Sequence, residues 1–302
     1  MEETKTQILD GKELSIRIKE EIANEVRQLT QRGLRPPHLA AILVGDDGAS
    51  QTYVASKEKS SHEVGFTSSV YRLPANTSEA DLLEVVNFLN ADDETDGYIV
   101  QLPLPKQIDE SHIIDAIHPD KDVDGFTAVN VGRMVTGQES FLPATPKGIV
   151  TLLQRYGIDT VGQHCVVVGR SNIVGTPLAN LMSRNAAGAN CTVTLCHSKT
   201  RSLAELTRQA DILVVAIGKP EFVTADMVKP GAVVVDVGIH RVPDSSKKSG
   251  YRLIGDVKHS EVDPLCSWVT PVPGGVGPLT IVSLLQNTMQ AYRKRIEAMS
   301  TN

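Results

Sequence analysis

The chain has 302 residues, of which 41% are hydrophobic and only 4% are aromatic, and its formal net charge is −6. This length allows two domains of ordinary size with aliphatic cores. The acidic balance argues against a groove for a nucleic-acid backbone, because such a groove needs clustered positive charge. No apolar run is long enough to span a bilayer, so we expect neither a nucleic acid nor a membrane as a partner.

The amino terminus and the cysteines indicate the compartment. Residues 1–5, Met-Glu-Glu-Thr-Lys, are acidic and polar, and they match neither a signal peptide nor an Arg-rich transit peptide. The four cysteines form no C-x-x-C pair: Cys165, Cys191, Cys196 and Cys266. We interpret them as reduced, structural thiols, and we expect a cytoplasmic protein.

The first part of the chain alternates between strand and helix patterns. A short strand and turn are predicted over residues 8–11, and a stripe of apolar residues predicts a helix over residues 14–29. Strands are then predicted over residues 38–45, 66–73 and 97–102, and helices over residues 49–64, 78–89 and 111–117. Strands that alternate with helices form parallel sheets, and the ligands of such sheets bind beyond the carboxyl ends of the strands.

Polar residues follow these strands at the expected ligand-binding edge. Lys57 comes after the first of the three longer strands, Gln101 after the third, and Asp122 and Asp124 in the loop beyond. Tyr53 lies four residues before Lys57, so a helix places both on one face. The tyrosine ring can stack on a flat substrate, and a partly desolvated lysine has a lowered pKa and can transfer protons. Taken alone, this helix could equally be an ordinary exposed one.

A domain boundary is predicted at Pro143-Ala-Thr-Pro146, which resists both helix and ladder hydrogen bonds. Beyond it, strands are predicted over residues 165–169, 191–196, 211–218 and 232–238, an edge strand over 251–255, and helical segments over 147–156, up to 182, 203–210 and 224–228. The run 270–278 is too rich in Gly and Pro for regular structure. A final helix is predicted over residues 280–298.

These patterns predict an α/β fold of two domains. The first is an α/β domain with a parallel sheet, formed by residues 1–146 together with residues 280–302 of the returning C-terminal helix. The second is a Rossmann-like dinucleotide-binding domain over residues 147–279, because strands, a glycine turn and helices repeat there.

The glycine turn of the second domain begins at Gly169 and differs from G-x-G-x-x-G. Ser171 stands where the second glycine would be, and Gly175 falls one position late. Backbone N–H groups at a helix start still hold phosphate, and Arg170 and Ser171 add a cation and a hydroxyl. A plain strand-to-helix turn is the alternative.

The end of the next strand indicates which dinucleotide is bound. An NAD site places an acidic residue there to bind the ribose 2′-hydroxyl. This chain instead has His197-Ser198-Lys199-Thr200, which offers a hydroxyl and cations. We therefore predict NADP rather than NAD as the cofactor; otherwise these residues only begin a solvated loop.

Other catalytic motifs are missing or misplaced in the sequence. His62-Glu63 has no second histidine four residues on, so the zinc-protease pattern fails and no metal is predicted. There is no G-x-S-x-G nucleophile elbow and no phosphate loop of the G-x-x-x-x-G-K-[ST] type. Tyr-x-x-x-Lys also occurs in short-chain dehydrogenases, but there it follows the cofactor turn within one domain.

Six motifs occur in order along nearly the whole chain. They are Tyr53-Val-Ala-Ser-Lys57, Val100-Gln-Leu-Pro-Leu-Pro105, Pro119-Asp-Lys-Asp-Val-Asp-Gly125, Pro143-Ala-Thr-Pro-Lys-Gly148, Val168-Gly-Arg-Ser-Asn-Ile-Val-Gly-Thr-Pro177 and Pro271-Val-Pro-Gly-Gly-Val-Gly-Pro278. With this set the chain closely resembles the bifunctional methylenetetrahydrofolate dehydrogenase/methenyltetrahydrofolate cyclohydrolase family.

The resemblance implies two reactions of one-carbon metabolism. The first is oxidation of 5,10-methylenetetrahydrofolate by hydride transfer to NADP, and the second is hydrolysis of the methenyl product to 10-formyltetrahydrofolate. It implies a small-molecule folate substrate, a role in tetrahydrofolate interconversion and purine biosynthesis, and a homodimer joined through the cofactor domains. Some family members use NAD.

The resemblance also implies roles for individual residues. Lys57 would transfer protons in the hydrolysis, Gln101 would orient it, Tyr53 would stack on the folate rings, Asp124 would pair with the pterin, and Ser50 is a weaker substrate candidate. Pro273 and Gly274 are further substrate-binding candidates. The cofactor-binding candidates are Gly169, Arg170, Ser171, Gly175, His197, Ser198, Gly218, Gly238, Ile239 and Gly275.

Three other hypotheses compete with the bifunctional enzyme. A member with only the dehydrogenase step would not need the intact Lys57 and Gln101. A catalytically silent module that binds NADP or folate would be indicated by a damaged Lys57, Gln101 or Asp124, and all three are present. A two-domain dehydrogenase for a small acid would leave this residue set unexplained.

Overall fold

The computed structural model describes residues 5–247 and 250–300, with side chains through residue 298. The chain divides into two compact units, unit 1 comprising residues 1–15 and 145–280 and unit 2 comprising residues 16–144 and 281–302. Residues 1–4, which include most of the acidic terminus considered above, lie outside the described residues. None of the helices in the described ranges is long and apolar enough to cross a bilayer.

The elements follow one another in the predicted alternation. The strands are β1 Gln7–Ile8, β2 His38–Val44, β3 Thr67–Leu73, β4 Gly97–Val100, β5 His164–Val168, β6 Thr192–Cys196, β7 Ile212–Val215, β8 Val233–Asp236, β9 His240–Pro243, β10 Tyr251–Ile254 and β11 Trp268–Val269. The helices are α1 Gly11–Gln31, α2 Gly48–Glu63, α3 Glu79–Ala91, α4 Glu110–Ala116, α5 Ala128–Val135, α6 Ala144–Arg155, α7 Gly175–Ser183, α8 Leu203–Thr207, α9 His259–Val262 and α10 Val276–Ser300. Short 3₁₀ helices cover Ala225–Met227 and Asp263–Leu265.

Unit 2 is built on a three-stranded parallel sheet in the order β3-β2-β4. The central strand β2 is buried from Leu39 to Val44, as expected for a parallel strand covered on both faces. Residues 281–300 of α10 also belong to this unit. There Asn287 Nδ2 donates to the carbonyl oxygens of Val123 at 2.7 Å and Leu142 at 2.9 Å. The predicted return of the C-terminal helix to the first domain is confirmed.

Unit 1 is built on a six-stranded parallel sheet in the order β1-β11-β8-β7-β5-β6. The valine-rich strands β5, β7 and β8 form its buried centre. The chain runs from β5 to β6 on one side and then returns to β7 on the other side of β5. Such a reversal opens a crevice at the carboxyl ends of the strands, so the predicted Rossmann-like architecture is confirmed.

The first fifteen residues group with unit 1, whereas the sequence analysis assigned them to the first domain. The reason is a strand pairing that spans most of the chain: β1 pairs in parallel with β11, with Gln7 opposite Trp268 and Ile8 opposite Val269. A two-residue strand gives no sequence pattern that could identify so distant a partner.

Two helices begin earlier than predicted. The helix α6 begins at Ala144 and includes Pro146, and α10 begins at Val276 and includes Gly277 and Pro278. Both prolines fall in a first helical turn, where backbone N–H groups have no intrahelical partner, so a proline removes no hydrogen bond there. The sequence analysis also missed α5 and β9, and β9 pairs in antiparallel fashion with β10.

Candidate active site

Lys57 and Tyr53 lie on α2, which starts directly beyond the carboxyl end of β2. The carboxylate of Asp47 caps the helix by accepting from Ser50 N–H at 2.8 Å. Ser50 is buried in this first turn. One turn separates Tyr53, whose side chain is 42% exposed, from Lys57, which is only 9% exposed. The same face of α2 therefore carries an exposed tyrosine and a buried lysine.

Gln101 meets Lys57 from the carboxyl end of β4. Its backbone N–H donates to Ile42 O at 2.9 Å, which continues the ladder to β2. Its side-chain Nε2 donates to Leu102 O at 2.7 Å, so the amide turns Oε1 toward the lysine. Lys57 Nζ donates to that Oε1 at 3.2 Å. The glutamine therefore fixes the position of the ammonium group without adding a charge.

The environment of Lys57 changes its acidity. Burial lowers the pKa of Lys57, and the nearby Asp124 carboxylate offsets part of this effect. Burial raises the pKa of Asp124, Lys57 opposes the rise, and Asp122 adds to it. Asp124 keeps part of its side chain exposed. A lysine with a lowered pKa can take up and release a proton nearer to neutral pH than an exposed lysine.

Asp122 and Asp124 have different structural roles, which the sequence did not separate. The buried carboxylate of Asp122 accepts from the backbone N–H groups of residues 125–127 at 2.9, 3.1 and 2.8 Å and from Asn130 Nδ2 at 2.9 Å. Asp122 therefore holds the loop that presents Asp124. Gly125 has φ +72°, and a Cβ at this position would lie 2.6 Å from Phe141 O.

We call Tyr53, Lys57, Gln101 and Asp124 the lysine site. All four belong to unit 2. They comprise an exposed tyrosine, a buried lysine, a glutamine whose side-chain oxygen accepts from that lysine, and an aspartate that is half-buried.

A separate cavity of about 300 Å³ lies in unit 1 beyond the carboxyl ends of β5, β6 and β7. Five of the predicted cofactor residues line it: Gly169, Arg170, Ser171, His197 and Ser198. Ile217 and Lys219, from the loop after β7, also line it. We call it the carboxyl-edge cavity. It lies at the reversal of strand order, where open α/β sheets bind their ligands.

Two glycines let the backbone close tightly around the turn after β5. Gly169 has φ +122°, and a Cβ there would lie 2.1 Å from Ala216 O. A Cβ on Gly175 would lie 1.9 Å from Gly169 O. Ser171 occupies the N–H groups at the start of α7: its Oγ accepts from Val174 N–H at 3.2 Å and from Gly175 N–H at 3.5 Å, and its carbonyl oxygen accepts from Thr176 N–H at 3.0 Å. Because Pro177 has no N–H, the backbone donors expected to hold a phosphate at this helix start are already used, and the exposed Arg170 provides positive charge at the turn.

The remaining predicted cofactor residues have different positions. Gly218 lies between Ile217 and Lys219 in the loop after β7 and has φ +67°. Gly238 and Ile239 follow β8 and do not line the carboxyl-edge cavity.

The predicted residues Pro273, Gly274 and Gly275 lie in unit 1, just before α10. Gly274 has φ +105°, and its carbonyl oxygen accepts from Lys12 N–H at 2.8 Å. A Cβ on Gly11 would overlap Gly275 O. The start of α1 therefore fixes this segment of unit 1, and the substrate-binding role of Pro273 and Gly274 stays a prediction.

Two buried carboxylates of unit 1 were missed by sequence reasoning. Asp236 ends β8 and Asp256 follows β10, and they are 1% and 0% exposed. Asp256 accepts from the backbone of the loop after β7. The sequence signal for Asp236 was an acidic residue at the end of a run of valines. Asp256 follows a short edge strand, and no sequence pattern marks it.

The Rossmann-like fold and its carboxyl-edge cavity are those of a pyridine-nucleotide dehydrogenase, and unit 2 adds a site built around a buried lysine. Two parts of the chain match domains of one known enzyme family. Residues 9–124 match the catalytic domain of tetrahydrofolate dehydrogenase/cyclohydrolase, and residues 143–296 match the NAD(P)-binding domain of the same enzymes. The chain belongs to the tetrahydrofolate dehydrogenase/cyclohydrolase family.

Individual relatives cover nearly the whole chain. The bifunctional protein FolD of Cytophaga hutchinsonii is 61% identical over 94% of this chain and 98% of its own length. The crystal structure of the bifunctional FolD enzyme from Campylobacter jejuni is 47% identical, with a TM-score of 0.90 over 96% of this chain and 99% of that one. The Trypanosoma brucei enzyme, solved with NADP cofactor and an inhibitor, is 37% identical, with a TM-score of 0.90 over 96% and 98%. The predicted family and enzyme class are confirmed.

Proposed function

We propose that the chain oxidises 5,10-methylenetetrahydrofolate with NADP and then hydrolyses the methenyl product to 10-formyltetrahydrofolate. The observation that carries this proposal is the buried Lys57 joined to Gln101 at 3.2 Å in a chain with a complete NAD(P)-binding domain. A dehydrogenase alone would need no buried, hydrogen-bonded lysine, because hydride transfer requires placement more than an acid or base.

In the hydrolysis, Lys57 is the proton-transfer group. Its neutral form accepts a proton from the water that adds to the amidinium carbon, and its charged form returns a proton to the ring nitrogen as the carbon–nitrogen bond breaks. Gln101 holds the amine in place between the two steps. The open ring of Tyr53 supplies a stacking surface, and Asp124 accepts hydrogen bonds from the pterin.

The residues of the carboxyl-edge cavity fit a dinucleotide with a 2′-phosphate. The tight turn at Gly169 places Ser171 in the lining of the cavity, where its hydroxyl can donate to the pyrophosphate. Arg170 and Ser198 line the same cavity and supply a cation and a hydroxyl for the 2′-phosphate. NADP, when bound, accepts the hydride from the substrate. The protein holds the cofactor and orients it.

Absorbance kinetics with 5,10-methylenetetrahydrofolate test this function. We expect reduced cofactor to form with NADP and far more slowly with NAD, with little accumulation of methenyltetrahydrofolate. A second assay starts from methenyltetrahydrofolate without cofactor and follows its hydrolysis. If the cofactor is reduced but methenyltetrahydrofolate is not hydrolysed, the chain is a dehydrogenase only. Activity with NAD alone would contradict the roles of Arg170 and Ser198.

We further propose that the enzyme works in the cytoplasm, in one-carbon metabolism that supplies purine biosynthesis, as a homodimer joined through its cofactor domains. The four cysteines are all buried and free, which suits a reducing compartment. Light scattering coupled to size-exclusion chromatography tests the dimer. A mass of 32.6 kDa, that of one chain, would contradict it.

A further inference from the structure

The loop after β7 is held by a buried carboxylate rather than by its own turn. Asp256 Oδ2 accepts from Ile217 N–H at 2.7 Å and from Gly218 N–H at 3.0 Å, while its Oδ1 accepts from Lys219 N–H at 2.9 Å. The carboxylate is fully buried. Three successive backbone donors therefore converge on one side chain.

This loop forms one wall of the carboxyl-edge cavity. Ile217 and Lys219 line the cavity, and Gly218 between them has φ +67°. Backbone hydrogen bonds tie the loop on either side, from Ala216 N–H to Val168 O at 2.8 Å and from Glu221 N–H to Gly255 O at 3.0 Å. The N–H groups of residues 217–219 between them are held by Asp256, so this carboxylate sets the part of the loop that forms the wall. The loop's conformation therefore depends on a residue that does not itself line the cavity.

A second buried carboxylate holds Asp256 in place. Asp236 Oδ1 accepts from the backbone N–H groups of Gly238 at 2.9 Å and Asp256 at 3.0 Å, and its Oδ2 accepts from Val257 N–H at 2.9 Å. The fit is tight, because a Cβ on Gly255 would lie 1.8 Å from Asp236 Oδ2. The carboxyl end of β8 thus fixes the segment that presents Asp256.

His240 provides the fourth hydrogen bond to the carboxylate of Asp256. Its Nε2 lies 2.8 Å from Asp256 Oδ1, and its side chain is 20% exposed. Each carboxylate oxygen of Asp256 therefore receives two donors: Ile217 and Gly218 on Oδ2, and Lys219 and His240 on Oδ1. Four donors on two oxygens saturate the hydrogen-bonding capacity of a carboxylate.

We propose that Asp256, supported by His240, is a positioning residue for the dinucleotide: it sets the loop of residues 217–219 against the cofactor. This inference rests on the proposed function, because it takes NADP as the ligand of the carboxyl-edge cavity. It adds two residues that act through the loop and do not touch the cofactor themselves. Asp256→Asn tests it directly, because in either orientation the amide turns its NH₂ group toward at least one backbone N–H donor of the loop.

The experiment measures both activities and NADP binding in the same protein. For Asp256→Asn we expect the KM and the dissociation constant for NADP to rise about 10- to 100-fold, with hydrolysis of methenyltetrahydrofolate within about twofold of the unaltered enzyme. The matched control is Asp211→Asn. Asp211 also accepts a backbone N–H, from His164 at 2.9 Å, but it lies at the amino-terminal edge of the same sheet. This control should leave the NADP constants unchanged.

His240 provides a milder pair of variants. His240→Leu removes one donor to Asp256, and we expect it to raise the KM for NADP by about 3- to 10-fold. His240→Gln keeps an N–H donor at similar reach and should restore the KM to within about twofold. A residue needed only for folding would change both activities together and would not distinguish glutamine from leucine.

The outcomes separate this inference from the proposed function. Unchanged NADP constants in both Asp256→Asn and His240→Leu would overturn the inference, even in a fully active enzyme. If Asp256→Asn fails to fold, the His240 variants decide alone. If the unaltered protein shows no dehydrogenase activity, the proposed function fails, and the dissociation constants for NADP still test the positioning role. Equal values for His240→Leu and His240→Gln would show that His240 does not support Asp256 through its hydrogen bond.

Discussion

Lys57 Nζ donates to Gln101 Oε1 at 3.2 Å, and this bond links the helix after β2 to the carboxyl end of β4. Two residues 44 positions apart meet because parallel strands β2 and β4 are neighbours in the sheet. The bond holds an amine whose pKa is lowered by burial. A lowered pKa and a fixed position are what general acid–base catalysis needs, so we predict that Lys57 transfers protons.

The first prediction concerns Lys57→Met, which keeps the apolar part of the side chain and removes the amine. We expect the hydrolysis of methenyltetrahydrofolate to slow by about 10²- to 10⁴-fold, the usual contribution of a positioned proton-transfer group. Folate binding should change little, because Tyr53 and Asp124 remain. Stopped-flow absorbance and a folate titration measure the two quantities.

Lys59→Met is the control for this variant. Lys59 lies on the same helix, but its side chain is 79% exposed, and its ion pair with Glu63 at 3.9 Å contributes little. We expect both activities of Lys59→Met to match those of the unaltered enzyme. Normal hydrolysis by Lys57→Met would remove Lys57 from the mechanism.

The second prediction concerns Asp124→Ala. Burial raises the pKa of the Asp124 carboxyl group, and this group does not share the backbone donors that hold Asp122, so we predict that it binds the substrate. Losing charge-assisted hydrogen bonds should weaken folate binding by about 10- to 100-fold. The control is Asp120→Ala, four residues earlier in the chain and 64% exposed. A folate dissociation constant equal to that of the control would exclude Asp124 from the site.

Local sequence patterns predicted the elements whose cause is local. Hydrophobic periodicity predicted the valine-rich strands β5, β7 and β8 and the helix that carries Lys57. The rule that ligands bind at the carboxyl ends of strands singled out the polar residues after β2 and β4. The lysine site was predictable because Lys57, Gln101 and Asp124 each follow such an element.

Features that depend on distant contacts were not predictable. The pairing of β1 with β11 and the bonds from Asp256 to the loop of residues 217–219 join segments that are far apart in the chain. The sequence does not show whether an aspartate accepts backbone N–H groups in the interior or lies exposed on the surface. For this reason the sequence did not distinguish Asp122 from Asp124, although of these two only the Asp122 carboxylate accepts the backbone N–H groups of its own loop.

The third prediction concerns cofactor choice. Arg170 is exposed and lines the carboxyl-edge cavity, so Arg170→Ala should raise the KM for NADP by about 10- to 100-fold. The KM for NAD should change little, because NAD has no 2′-phosphate. Steady-state kinetics with both cofactors measure the ratio, and Arg201→Ala, at an exposed arginine in the loop after β6, is the control. An equal rise for both cofactors would show that Arg170 does not select the phosphate.

The fourth prediction concerns the pH dependence of stability in unit 1. Burial alone would lower the pKa of His259, but hydrogen bonds to Asp236 at 3.2 Å and Asp263 at 2.7 Å outweigh burial and raise it from 6.5 to about 9. A histidine with a raised pKa in the folded state stabilises the fold fully below its unfolded pKa and loses that contribution as the pH rises through the folded value. The contribution is therefore present at pH 6 and lost above about pH 9.

Chemical denaturation followed by the fluorescence of Trp268, the single tryptophan of the chain, measures this effect in unit 1. Between pH 6 and pH 9.5 we expect the free energy of unfolding to fall by about 1–2 kcal/mol more in the unaltered protein than in His259→Gln, allowing for the solvent exposure of the ring. Glutamine keeps a donor but cannot titrate, so His259→Gln should be nearly as stable as the unaltered protein at pH 9.5 and less stable at pH 6. His118→Gln, which replaces a histidine that is 56% exposed, is the control. Parallel pH profiles for the unaltered protein and His259→Gln would mean that the imidazolium of His259 does not stabilise the fold.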